Sequence, residues 1–300
     1  MLTVGNVDVR VHSDLALADF QDPPYLQFMR PRAIQGSRPS ALDIEVLATA
    51  CPANDSQVIF ESGGAWKMQP DESGYRLSFR RDGSSRFHTI VCSNRETTRA
   101  TIYVDQDLEP SQHVLEMPVN PVHYPLDQLL LMNHLATRGG VIAHAAGAVV
   151  EGSALVFPGV SGAGKSTLSR LLAGAGLGDS LLSDDRVVLQ MATGEGVEES
   201  CEVWGTPWPG DAGVARNGFA PLGALLFLVK ADLNEVIPLT TAAAMRRLMP
   251  VVTCPWYDAE RVSVVLDTCA RVVQGVPCYD LRSRADSGVI PLLTARLWNA

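Results

Sequence analysis

The sequence predicts an α/β protein: a β-rich N-terminal domain over residues 1–120, followed over 121–300 by a domain of mixed sheet and helices. Three observations predict it. Short, partly alternating apolar segments separated by turn formers crowd the first part. A continuous apolar run at 223–229 suits a strand covered on both faces. A glycine-rich loop joins an apolar strand-like segment to a helix with one apolar face.

In the N-terminal part, residues 65–69, 75–80, 88–92 and 100–104 read as strands. Turn formers at 70–74, 81–85 and 93–96 separate them, the spacing of an antiparallel meander. Nothing in it has a catalytic pattern, so it is expected to be a packing or substrate-presenting module. Pro118, Pro121 and Pro125 punctuate a linker. Residues 126–135 then read as a helix apolar over most of its circumference, hence buried, with His134 as a core histidine.

From residue 141 the pattern changes. Residues 141–145, 148–150 and 154–157 read as three short strands with small-residue turns between them. A helix follows the glycine-rich loop. Its apolar face carries Leu168, Leu171 and Leu172, and Gly174, Gly176 and Gly178 end it. The next strand, opening at Leu181 and Leu182, delivers Ser183, Asp184 and Asp185. Residues 240–249 form a helix stopped by Pro250. Residues 258–274 form another, capped by Asp258, with Val262, Val265, Leu266, Cys269, Val272 and Val273 as its apolar stripe. Residues 278–282 close the series as a strand.

The totals exclude several classes. A net charge of −9 repels a phosphodiester backbone, so no nucleic-acid partner is expected. No stretch is apolar enough for a membrane span or a signal peptide, so no membrane partner and a cytoplasmic location are expected. The six cysteines have neither C-x-x-C spacing nor a His at finger distance, which argues against zinc and for reduced, mostly buried thiols.

The chemistry begins at Gly159. Gly159, Gly164, Lys165 and Ser166 match the phosphate-loop pattern, and Val160, Ser161, Gly162, Ala163 and Thr167 complete the cradle. Glycines let backbone N–H groups turn inward onto phosphate oxygens. Lys165 supplies a cation to the β- and γ-phosphates, and the Ser166 hydroxyl is the expected Mg²⁺ ligand. The following helix points its positive end at the same anion. The bare pattern arises by chance in roughly one chain of this length per hundred, and the strand before it and helix after it make chance rarer still.

Asp184 and Asp185 follow Lys165 by one helix and one short strand. Beside Mg²⁺-ATP, one carboxylate of such a pair can hold metal while the other accepts a proton from an attacking hydroxyl. Taken alone, the pair is ordinary turn chemistry. His144 lies in the apolar run before the loop, where a histidine is usually a satisfied core residue. Periodicity does not place it at the site.

A His on a strand, the phosphate loop, and an Asp-Asp pair one helix later together resemble the HPr kinase/phosphorylase family, and more closely the HPr-kinase-related proteins of bacterial gene clusters. Residues 204–210, 220–228 and 276–281 look like those related proteins too, and the resemblance spans roughly 124–290. It implies a phosphoenolpyruvate-carboxykinase-like P-loop core of mixed sheet and helices. It maps the proton acceptor onto Asp185, the active-site histidine onto His144, and the Lys and Ser onto Lys165 and Ser166. A metal-binding Glu maps onto Glu202, although Trp204 stands where the family carries Arg. Asp211 competes with Glu202 for the metal. The family's later Arg-bearing loop has no clear match, and Arg216 is matched by position alone.

The expectation is therefore an ATP- and Mg²⁺-dependent kinase acting on a hydroxyl, foremost a Ser of a protein or peptide. Asp185, Asp184, His144 and Lys165 form its catalytic set, and Ser166 with Glu202 or Asp185 holds the metal. Two alternatives stay open: a small-molecule kinase for a sugar, polyol or amino acid, and a nucleotide-sensing module that acts through a partner. Subunit number is open as well, and a homo-oligomer is compatible with the sequence.

Overall fold

The computed structural model describes residues 1–13, 17, 20–29, 40–80, 87–104, 120–192 and 200–294. The turn expected at 81–85, and Pro118, lie outside them. The protein is α/β with mixed sheets and is mostly sheet. It divides into two compact units that interleave along the chain. One comprises Met1–Leu2, Val7–Gln21 and Pro39–His134, and the other Thr3–Asn6, Asp22–Arg38 and Leu135–Ala300.

In chain order the first elements are β1 (Leu2–Val4), β2 (Val7–Ser13), α1 (Pro23–Phe28), β3 (Ser40–Leu47), β4 (Phe60–Ser62), β5 (Trp66–Asp71), β6 (Gly74–Arg80), β7 (Phe87–Asn94), β8 (Arg99–Val104) and α2 (Leu126–Leu135). In the first unit the strands lie in the order β2-β3-β8-β7-β6-β5-β4. From β4 to β8 this is an antiparallel meander, the arrangement expected from the turn spacing. β2 and β3 extend it in parallel. Leu42, Ile44 and Val46 alternate into the core with Met68, Leu77, Val91 and Ile102, all buried. His134 is fully buried, with Nδ1 2.8 Å from the Thr97 carbonyl and Nε2 2.9 Å from Ser40 Oγ.

The second unit holds α1 and then β9 (Gly140–Val150), β10 (Ser153–Pro158), α3 (Lys165–Leu172), β11 (Leu181–Ser183), β12 (Arg186–Met191), β13 (Cys201–Gly205), β14 (Phe219–Lys230), β15 (Glu235–Pro238), α4 (Thr241–Leu248), α5 (Ala259–Gly275), β16 (Cys278–Ser283) and α6 (Val289–Leu293). The strand order is β10-β9-β12-β13-β14-β16-β15, and β10 also pairs β14 in parallel. Two long strands carry the architecture. β9 pairs β12 through residues 140–144 and β10 through 145–150, while β14 pairs β13 at its start and β16 at its end.

β9 is one continuous strand, where two short strands and a turn were expected. The small residues are there for close packing rather than for turning. A Cβ on Gly147 would sit 3.0 Å from Val187 Cγ1, and Ala145 and Ala146 are buried where β10 pairs with them.

Both faces of this sheet are covered, which explains the unbroken apolar runs. Leu155, Phe157, Ala224 and Leu226 face Leu168 and Leu172 of α3 and Val289 and Leu293 of α6. Ala154, Val156, Leu225 and Phe227 face Ala244 and Leu248 of α4 and Val265, Cys269, Val272 and Val273 of α5. Each Val, Leu or Phe among them contributes about 1.5–3 kcal/mol when fully buried. On α5 the stripe is rotated from expectation: Leu266 is 40% exposed and Thr268 is buried in its place, its hydroxyl donating to the Val264 carbonyl at 2.8 Å. Asp258 caps α5 by accepting from the amides of Glu260 and Arg261. α1 joins this unit through Tyr25, whose hydroxyl accepts from Trp208 Nε1 at 3.2 Å. Among the described residues no helix is long and apolar enough to cross a membrane.

Candidate functional site

The glycine-rich loop runs from the end of β10 into α3. Gly162 and Gly164 have φ of 77° and 110°, a region that side chains with a Cβ avoid, so both must be glycine for the loop to curl. Gly159 is needed for a different reason: a Cβ there would lie 2.8 Å from Ala163 Cβ. The amide of Gly159 donates to the His144 carbonyl at 3.2 Å, which fixes the start of the loop against the middle of β9. α3 begins at Lys165, so the free amides of its first turn face the loop's concavity.

The two aspartates do different work. Asp184 is fully buried. Its Oδ1 accepts from the amides of Gly210 at 2.9 Å and Val214 at 3.0 Å, and its Oδ2 from that of Ala212 at 2.8 Å. Its carboxylate is thus spent on fastening the 210–214 loop beside β11. Ser183 Oγ accepts from the amides of Asp185 and Arg186, turning the chain between β11 and β12 so that consecutive Asp side chains diverge.

Asp185 faces the opening. Oδ1 accepts from His144 Nε2 at 2.8 Å and lies 3.7 Å from Lys165 Nζ, and Oδ2 accepts from Arg186 Nη1 at 2.7 Å. The β9–β12 register puts Arg186 opposite His144, so both side chains reach the same carboxylate. Burial pushes the Asp185 carboxyl up, but the hydrogen bond and charge of His144, with Arg186 and Lys165, outweigh it and hold it below the usual carboxylate range. Lys165 is only 5% exposed, and burial lowers its ammonium despite Asp185. The two shifts have different roots: His144, Arg186 and Lys165 all act on the acid, whereas the lysine side chain is the more buried and Asp185 and Asp184 together do not offset that burial. Lys165 Nζ also donates to the carbonyls of Gly159 at 3.0 Å and Val160 at 3.4 Å, so it lies folded against its own loop.

These groups line a cavity of about 520 Å³ bounded by His144, Ser161, Gly162, Gly164, Lys165, Ser166, Thr167, Arg170, Asp185, Arg186, Gly210 and Asp211. A second cavity of about 320 Å³ lies on the other flank of the loop, against Leu168, Leu171, Leu228, Val229 and Lys230. The structure therefore brings His144, Lys165, Ser166 and Asp185 together. It does not bring Glu202 with them. Glu202 pairs with Gln190 across β12, four rungs from Arg186 and so roughly 13 Å along the strand. Asp211 lines the cavity instead. Arg216 lies elsewhere, with Nη2 3.2 Å from Asp179 Oδ1.

Three contributors carried no role in the sequence reading. Arg186 clamps Asp185. Arg170 projects from α3 and donates to the Asp211 carbonyl at 2.8 Å. Gly210 lets the 210–214 loop approach, since a Cβ there would be 2.9 Å from Asp184 Oδ2. Arg170 had a signal, sitting four residues after Ser166 on the same helix face. Gly210 had none, because only the folded loop shows what its missing side chain clears.

The Ser166 hydroxyl and the Asp185 and Asp211 carboxylates in the cavity lining are hard oxygen donors of the kind Mg²⁺ takes. Among the described residues no group of three His, Cys, Asp or Glu side chains converges as a metal cage. No protein-family model matches this chain, and no curated protein matches it in sequence.

Proposed function

We propose that this chain is an ATP- and Mg²⁺-dependent kinase of the HPr-kinase-like branch, transferring the γ-phosphate to a hydroxyl, foremost a Ser of a protein or peptide. One observation carries the reading: the carboxylate of Asp185 shares a cavity with Lys165 and Ser166 of the glycine-rich loop and is hydrogen-bonded to His144.

The loop amides, the first turn of α3 and Lys165 bind the triphosphate. Lys165 exchanges its contacts with the Gly159 and Val160 carbonyls for phosphate oxygens. The apolar flank at Leu171 and Leu228 receives the nucleoside. Ser166 with Asp185 or Asp211 would hold Mg²⁺, which would neutralise phosphate charge. Asp185 takes the proton of the acceptor hydroxyl as that oxygen bonds to the γ-phosphorus and the bond from that phosphorus to the β,γ-bridging oxygen breaks, releasing ADP. A carboxylate with a lowered pKa is a weak base, which suits phosphoryl transfer: its transition state is loose, and positioning and charge matter more than early proton removal. His144 and Arg186 orient that carboxylate, and Asp184 holds the 210–214 loop.

The test is incubation with γ-labelled ATP, Mg²⁺ and a lysate, for the wild type and for Asp185→Asn. Label in a protein band with wild type only supports the proposal. Label in a small molecule would replace the acceptor class. Transfer by Asp185→Asn at the wild-type rate would remove Asp185 from the chemistry. Slow release of free phosphate alone would favour a nucleotide-sensing module.

A further inference from the structure

Outside that site, the sheet of the first unit holds a second reactive cluster. Cys51 Sγ and Cys92 Sγ lie 3.9 Å apart as free thiols. Arg76 Nη2 donates to Cys51 Sγ at 2.8 Å and to the Pro52 carbonyl, which keeps Cys51 turned toward β7. Arg76 and Cys92 are register partners across β6 and β7, so both thiols gather on one guanidinium. The segment after Cys51 is tied down too: Asn54 Nδ2 donates to the Pro70 carbonyl at 3.0 Å and to Asp71 Oδ1 at 2.9 Å. A cavity of about 660 Å³ bounded by Pro52, Ser56, Arg76 and Cys92 opens onto the cluster. The other four cysteines are buried in the second unit, whereas these two are only partly covered.

We infer that Cys51 and Cys92 are a thiol–disulfide exchange site whose substrate is a low-molecular-weight disulfide and whose product is an intramolecular Cys51–Cys92 bond. An S–S bond is about 2.05 Å, so forming it brings the sulfurs roughly 1.9 Å closer. Arg76 Nη2 donates to Cys51 Sγ at 2.8 Å, which places Cys51 to exchange first, while burial, with Arg76 opposing, pushes the Cys92 thiol up to about 12. The Cys51 thiolate attacks one sulfur of RS–SR and expels RS⁻. Cys92 then gives its proton to solvent and attacks Cys51 Sγ, expelling the second RS⁻. Two cysteines are oxidised, one disulfide is reduced, and two thiols leave.

The test equilibrates the native full chain with glutathione disulfide, alkylates it, and maps the unreduced peptides by mass spectrometry. The expected result is a 51–92 link with two glutathione thiols released per linked chain, and arrest of Cys92→Ser at a Cys51–glutathione adduct. A parallel sample unfolded in urea is expected to scatter its links among all six cysteines, showing that the native geometry directs the bond. Circular dichroism of Cys51→Ser and Cys92→Ser checks that the variants fold. A persistent Cys51 adduct in wild type, no link at all, or native linkage as scattered as in the unfolded sample would each overturn the inference.

Discussion

Replacing Asp184 separates scaffold from chemistry. Its carboxylate accepts three backbone hydrogen bonds of 2.8–3.0 Å at zero exposure. Bonds to a charged group contribute about 1.5–3 kcal/mol each, a nominal total of about 4.5–9 kcal/mol. They share one acceptor, and the loop can relax toward water, so Asp184→Ala is expected to cost about 3–5 kcal/mol, in line with breaking a buried ionic group. Asp184→Asn keeps one oxygen for Gly210 and Val214 but turns an N–H₂ toward the Ala212 amide, for about 2 kcal/mol. With a urea slope near 2 kcal/mol per M, the alanine variant's midpoint falls by roughly 2 M. Hydrogen exchange localises the effect: the amides of Gly210, Ala212 and Val214 lose protection first. A midpoint within about 0.3 M of wild type, or unchanged exchange at those amides, would refute the assignment of Asp184 to the scaffold.

Four further outcomes follow from the same geometry. Lys165→Ala is expected to weaken triphosphate binding at least about tenfold, the effect of losing ~1.4 kcal/mol of charge contact, with the folded state intact by circular dichroism. Asp211→Ala is expected to raise the Mg²⁺ concentration needed for nucleotide binding while Glu202→Ala does not, as titration calorimetry would show. Gly210→Ala forces a methyl against Asp184 and is expected to destabilise by about 1–3 kcal/mol in urea unfolding. The native carboxyl of Asp185 titrates below its unfolded value of about 3.9. Its contribution to stability is therefore full above that value and is lost as pH falls through the native one, so the stability gap between wild type and Asp185→Asn is expected to shrink below about pH 4.

What was legible in the sequence was local. The α2 boundaries, the four meander strands between 65 and 104, and the Asp258 cap follow from turn residues and periodicity, which act over a few residues. β2 and β3 carry only an alternating signal, Val7, Val9, Val11 and then Leu42, Ile44, Val46. Their partners are parallel and distant, so no hairpin turn marks them. β9 reads as two strands in the sequence because Ala and Gly are equally at home in a turn and in a crowded strand. The site divides the same way. The glycine-rich loop is contiguous and could be read directly, whereas the His144–Asp185 bond spans 41 residues and exists only because β9 and β12 pair in one register.

By itself the sequence determined the cradle: glycines where φ must be positive, and a lysine and a serine where α3 begins. Only the tertiary structure decided that Asp185 faces the opening while Asp184 is consumed by backbone amides. Two neighbouring residues of identical chemistry cannot be told apart by type, and the turn that Ser183 makes sends their side chains opposite ways. Long-range contacts likewise put Asp211 at the cavity, through the loop amides that Asp184 holds, and strand register left Glu202 four rungs down a strand.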